Sequence, residues 1–226
     1  MVKNAAMRTW LRDHGLLLAN LALFLIFFAG MALSGVRVYN SNQLEHGGSI
    51  VSFASYLRTG DFVEATFENW ESEFLQMGMY VVLTAYLFQR GSSESKPIDE
   101  KAPQDEDPRD SQDKPDAPWP VKRGGWVLKL YENSLASFFF VLFFAAWALH
   151  AAGGAKAYSE EELAHGGQAV SFFEYLTTSQ FWFESFQNWQ SEFLAVAAIV
   201  WASVYLRQRG SPESKPVAAP YLETGT

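Results

Sequence analysis

Two glutamates, Glu73 and Glu192, occur in the same heptad, Asn-Trp-x-Ser-Glu-Phe-Leu, at 69–75 and again at 188–194. Each follows an asparagine, Asn69 or Asn188, by four residues, which puts the amide and the carboxylate on one face of a helix. Two His-Gly-Gly triplets supply His46 and His165, and His150 stands alone in an apolar run. Two imidazoles and two carboxylates form a donor set that a transition metal accepts, and the same groups can pass a proton. The chain holds no Glu-x-x-His pair, so the spacing names no particular metal, and His-Gly-Gly also reads as a helix stop. On the second reading, asparagine and glutamate hydrogen-bond neighbouring loop helices and have no further chemistry. No phosphate-binding loop appears. Zero cysteines exclude disulfides, thiolate metal sites and cysteine nucleophiles. No cofactor is expected.

The elements that must position these residues come from a duplication. Residues 16–97 slide onto 135–216 at a constant offset of 119 without a gap, and 36 of the 82 pairs are identical. Leu16–Leu33 and Leu135–Ala152 are 18-residue runs without a charge except at His150, close to what a helix needs to cross about 30 Å of hydrocarbon. The first run could pass for a signal peptide, but its copy lies mid-chain, so a retained span is expected. Between spans, 35–59 and 154–178 are too polar to cross and read as two short helices each. Ser159-Glu160-Glu161-Glu162 resembles a capping box, Asn40 with Gln43 is its weaker counterpart, and Gly47 and Gly166 follow as stops. Short second helices at Phe53 and Phe172 carry Tyr56 and Tyr175 at a membrane interface. Long helices then run from Asp61 to Arg90 and from Gln180 to Arg209, and Pro97 and Pro216 prevent their resumption.

This predicts an all-α polytopic membrane protein with four transmembrane helices at about 16–34, 66–89, 135–152 and 185–208, in two tandem parallel repeats. The domains are a first repeat at 1–97, an acidic linker at 98–121 and a second repeat with its tail at 122–226. The linker holds eight acids against three bases, too charged to pack without a partner. It dominates the net charge of −8, so no nucleic-acid footprint is visible. Fourteen Lys and Arg fall on the side of the termini and the linker, against Arg37, Arg58 and Lys156 in the hairpin loops. The positive-inside rule therefore puts both termini in the cytoplasm. Both repeats point the same way, so a pseudo-twofold axis along the membrane normal and a compact four-helix bundle are expected.

Trp70 and Trp189 read as an outer aromatic belt, with Trp10 and Trp126 inside. Arg90 and Arg209 read as stop-transfer charges, and the repeated Ser-x-Glu-Ser-Lys-Pro beyond them leaves room for a docking surface. Glu68 and Glu71 face Gln187 and Gln190 in the second copy, which makes them poor candidates for a shared role.

Through Leu-x-His-Gly-Gly, Asn-Trp-x-Ser-Glu-Phe-Leu and Gln-Arg-Gly-Ser-x-Glu-Ser-Lys, the chain resembles a family of small bacterial inner-membrane proteins classed only as a domain of unknown function. The resemblance implies an inner-membrane location and brings no activity with it. The expected role is that of a non-enzymatic accessory or interaction subunit, whose partners are the bilayer and other membrane proteins. The alternative is ion, proton or metal handling at Glu73, Glu192, His46 and His165.

Overall fold

The computed structural model describes residues 2–225, with side chains from residue 7 on. Lys3, one of the charges counted above, therefore lies outside the described side chains. Every regular element among the described residues is helical: α1 (Val2–Asp13), α2 (Gly15–Glu45), α3 (Phe53–Tyr56), α4 (Gly60–Tyr86), α5 (Trp119–Arg123), α6 (Gly125–Glu132), α7 (Ser134–Ala164), α8 (Phe172–Tyr175) and α9 (Ser179–Tyr205). The stretch before α5 carries two 3₁₀ turns, Pro103–Asp105 and Pro108–Ser111, each begun by a proline, and it buries Ala102.

Two helices, α2 and α7, are long and apolar enough to cross a membrane. Each has 31 residues, or about 46 Å at 1.5 Å per residue. They are longer than the expected spans because the break before a first cap helix does not form. Ser159 does not cap anything. Its hydroxyl lies 2.6 Å from the Ala155 carbonyl one turn back, and it accepts the Val170 N–H at 2.9 Å. Asn40 does the same job in α2, donating to the Val51 carbonyl at 3.0 Å and accepting the Val51 N–H at 2.8 Å. The residues that read as capping boxes are staples that hold the returning chain against an unbroken helix.

The stops fall where the glycines stand. Gly47 and Gly166 take φ of 75° and 81°, in the left-handed region that favours glycine. The N–H of Gly48 reaches the Gln43 carbonyl at 2.7 Å and that of Gly167 reaches Glu162 at 2.8 Å. These are the six-to-one bonds of a Schellman ending.

At their other ends, α4 and α9 stop four residues short of Arg90 and Arg209. Cationic side chains take the last carbonyls: Lys96 Nζ binds that of Ala85 at 3.0 Å, and Arg207 binds those of Ser203 and Val204 at 3.0 and 3.1 Å. Gly91 and Gly210, with φ of 84° and 85°, instead sit in turns closed by Ser92 N–H to Gln89 at 3.1 Å and Ser211 N–H to Gln208 at 3.2 Å. Ser95 and Ser214 hydroxyls then accept the N–H of Gln89 and Gln208 at 3.1 and 2.9 Å. The repeated Gln-Arg-Gly-Ser-x-Glu-Ser is therefore a loop that uses its own serines as internal acceptors, which accounts for its identity in both copies.

The chain divides into two compact units, residues 1–64 with 152–171 and residues 65–151 with 172–226, and each draws on both sequence copies. In the first unit, glycines permit two close approaches. A Cβ on Gly60 would lie 2.7 Å from the Gly153 carbonyl, and one on Gly35 would overlap the hydroxyl of buried Tyr56. In the second unit, Tyr175, Phe181 and His150 are completely buried.

Candidate functional site

The second unit encloses a chain of polar side chains centred on His150. The imidazole comes from the middle of α7, where no neighbour in sequence can pair with it. It is instead met by acids from two other helices. Glu71 of α4 places Oε2 2.9 Å from Nδ1, with both side chains fully buried. Glu184 of α9 places Oε2 3.3 Å from Nε2 and is 14% exposed.

Each acid has further donors. Trp189 Nε1 donates to Glu71 Oε1 at 3.1 Å, and the Tyr175 hydroxyl donates to Glu184 Oε2 at 2.6 Å. Gln180 donates to the other Glu184 oxygen, and Asn188 donates to Glu68. One turn of α9 thus supplies both Glu184 and Asn188, and the next residue is Trp189. Aromatic rings close the apolar side, with Phe181 5.1 Å from the imidazole centroid and Phe143 6.1 Å from that of Trp189.

A ring with a carboxylate at each nitrogen requires a proton at each. The triad therefore holds one proton beyond a neutral imidazole and two carboxylates, either as imidazolium or on a carboxyl group. Such a group can store a proton away from water, or it can fix three helices by charge-assisted hydrogen bonds. Both uses rest on the same geometry.

A family model described as Domain of unknown function (DUF6766) matches residues 7–226. The chain belongs to this family. The DUF6766 match takes in both sequence copies, the linker and the whole His150 network. No curated protein and no solved structure matches the chain.

Within DUF6766 the residues first singled out by spacing are differently placed. Glu73 is exposed and Glu192 half-buried, and the two lie within range of each other's charge. Neither carboxylate takes a hydrogen bond from the described residues, in contrast to the reading in which each bonds a neighbouring loop helix. Asn69 turns its amide back to the Ala65 carbonyl at 2.9 Å. His46 and His165 belong to the first unit, with rings 5.8 Å apart. Trp70 is half-buried. Arg90 pairs with Asp99 at 3.3 Å on the surface, and Arg209 is exposed.

The network joins Asn188 and Trp189, which the repeated heptad marks, to acids that the repeat does not mark. Glu71 faces Gln190 in the other copy and Glu184 faces Ala65, so the repeat marks neither. The one usable signal was His150, a lone ionisable group in an apolar helix, which implies a partner from elsewhere.

Outside the long apolar segments, burial shifts Tyr56 upward and also shifts Asp61 and Lys215. Burial pushes the Asp61 carboxyl above its ordinary range, opposed by its own backbone N–H and by Lys156. Lys215 is pushed below its ordinary range by burial and by the charge of Arg207, while its ammonium donates to the carbonyls of Pro220, Tyr221 and Glu223 at 2.8–3.1 Å.

Proposed function

We propose that this chain is a four-span integral protein of the bacterial inner membrane, with both termini cytoplasmic, acting without an enzymatic step as an accessory or interaction subunit of a membrane complex. One observation carries the reading: only 6% of the apolar stretch of α2 is buried by the rest of the chain. A helix this apolar needs lipid or another protein around it. The 27 residues each of α4 and α9 give about 40 Å, enough to span despite their polar first halves. The imidazole and the two carboxylates around His150 are occupied with one another, which suits a rigid scaffold. Cysteines at positions 49 and 168, the loops between paired spans, test the topology. An impermeant thiol reagent should label both in intact spheroplasts, and labelling only after lysis would overturn the orientation. Native mass measurement after mild extraction should show the chain with other polypeptides, whereas a lone chain would overturn the subunit role.

A second reading, proton handling, is favoured by the placement of His150 between two carboxylates. Reconstituted vesicles carrying an interior pH dye separate the two. A flux that His150→Gln abolishes supports proton handling, and its absence leaves the scaffold.

A further inference from the structure

The two Leu-x-His-Gly-Gly segments, 119 residues apart in sequence, bring His46 and His165 together in the first unit. Their ring centroids are 5.8 Å apart at 73°. A zinc–nitrogen bond of 2.0–2.1 Å places a metal roughly 3.2 Å from the centroid of its imidazole, so two imidazoles on one ion have centroids about 4.5 Å apart at a right angle and about 6.4 Å apart in line. The observed spacing falls inside that interval.

The orientation of each ring is fixed in the manner of a ligand. Nδ1 of His46 lies 2.8 Å from the Asn42 carbonyl, and Nδ1 of His165 lies 2.9 Å from that of Glu161. A carbonyl oxygen can only accept, so each Nδ1 carries the hydrogen and each Nε2 keeps its lone pair. Metal-binding histidines are commonly held this way, with the second nitrogen donating to a backbone carbonyl. Both rings are exposed, so neither Nε2 is buried against an apolar surface. Both also stand at helix C-termini, those of α2 and α7, where the helix dipole favours a cation.

We propose that His46 and His165 bind one divalent transition-metal ion of borderline softness through their Nε2 atoms, with water completing the coordination shell. Imidazole donors suit Cu²⁺, Ni²⁺ and Zn²⁺, and in a two-imidazole site Cu²⁺ binds tightest. Mg²⁺ and Ca²⁺, which take oxygen ligands, are excluded. The site is separate from the proposed membrane role, since the chain can span the bilayer with the site empty.

The test uses full-length protein in detergent, without a polyhistidine tag and stripped with EDTA. Cu²⁺ titration followed by electron paramagnetic resonance should show one ion per chain coupled to two nitrogens. His46→Ala or His165→Ala should weaken binding by at least about tenfold and leave one coupled nitrogen. His46→Asn keeps a side-chain donor for the helix end but no ligand, and should bind as weakly as the alanine variant does, with one coupled nitrogen. His14→Ala should change nothing. Circular dichroism confirms that the variants stay folded, because both histidines are on the surface. Absence of bound copper, copper insensitive to both substitutions, or one ion shared between two chains would each overturn the proposal.

Discussion

Glu71 is the most informative residue to change, because two buried donors depend on it. Glu71→Ala strands His150 Nδ1, now 2.9 Å from Oε2, and Trp189 Nε1, now 3.1 Å from Oε1. An unpaired buried donor costs about 1–3 kcal/mol, so the pair bounds the loss at about 2–6 kcal/mol. On the membrane reading hydrogen bonds measure lower, about 0.6 kcal/mol on average and 1.7 at most, so the two together give roughly 1–3 kcal/mol. For a chain of this size that lowers Tm by about 2–12 °C.

Glu71→Gln behaves differently. Its oxygen can accept from Trp189, its amide can donate to Nδ1 of His150, and the imidazole can then donate from Nε2 to Glu184. Every polar atom keeps a partner, and the expected loss is under about 1 kcal/mol. Thermal unfolding followed by size exclusion in detergent reads both variants. An alanine variant melting with the native protein, or a glutamine variant as damaged as the alanine one, would refute this account of the network.

Further expectations come from the same structure. His150→Met, which installs the residue found at position 31, leaves two carboxylates facing each other in a buried site and should cost about 3–5 kcal/mol; adding Glu71→Gln and Glu184→Ala should restore most of the lost Tm. Asn40→Ala removes both bonds to Val51 and should raise amide exchange at residues 48–52 while leaving 167–171 unchanged, with Ser159→Ala giving the mirror result. Asp61 has a folded-state pKa raised by burial, so the folded chain holds its proton more tightly than the unfolded one. Its contribution to stability is full below the ordinary value of 3.8 and is lost as pH rises through the raised value. The Tm of native protein minus that of Asp61→Asn should therefore fall as pH rises from about 4 to 7, and a flat difference would contradict the shift.

What the sequence made legible is local. Glycines at 47 and 166 end their helices with positive φ because the bonds that demand it close within six residues. The Gln-Arg-Gly-Ser loops repeat because each serine serves its own loop. The capping-box reading of Ser159 failed for a physical reason. A serine hydroxyl caps only when the helix begins there, and the Ser159 hydroxyl is already engaged by Ala155 one turn back and by Val170 eleven residues on. Nothing within a few residues of Ser159 announces Val170. The early ends of α4 and α9 were hidden in the same way, since Lys96 and Arg207 decide them from beyond the helix.

The network was illegible for a deeper reason, which concerns how a duplicated chain acquires a site. Identity between copies marks turns and stops that do the same job twice, but not the network, where Asn188 donates to Glu68 while Asn69 only turns back to the Ala65 carbonyl. The three residues of the triad have no ionisable counterparts: His150 stands opposite Met31, Glu71 opposite Gln190 and Glu184 opposite Ala65. A buried charge needs a partner, and two copies of one sequence offer like charges at like places, which repel. An imidazole on one copy can meet carboxylates from elsewhere only once the copies differ. Glu73 and Glu192 are the converse case, because they are identical, lie within range of each other's charge and take no hydrogen bond from the described residues. In a duplicated chain, then, a lone ionisable residue in one long apolar helix, set against an apolar residue in the other, is the better guide to a buried polar site than any repeated motif.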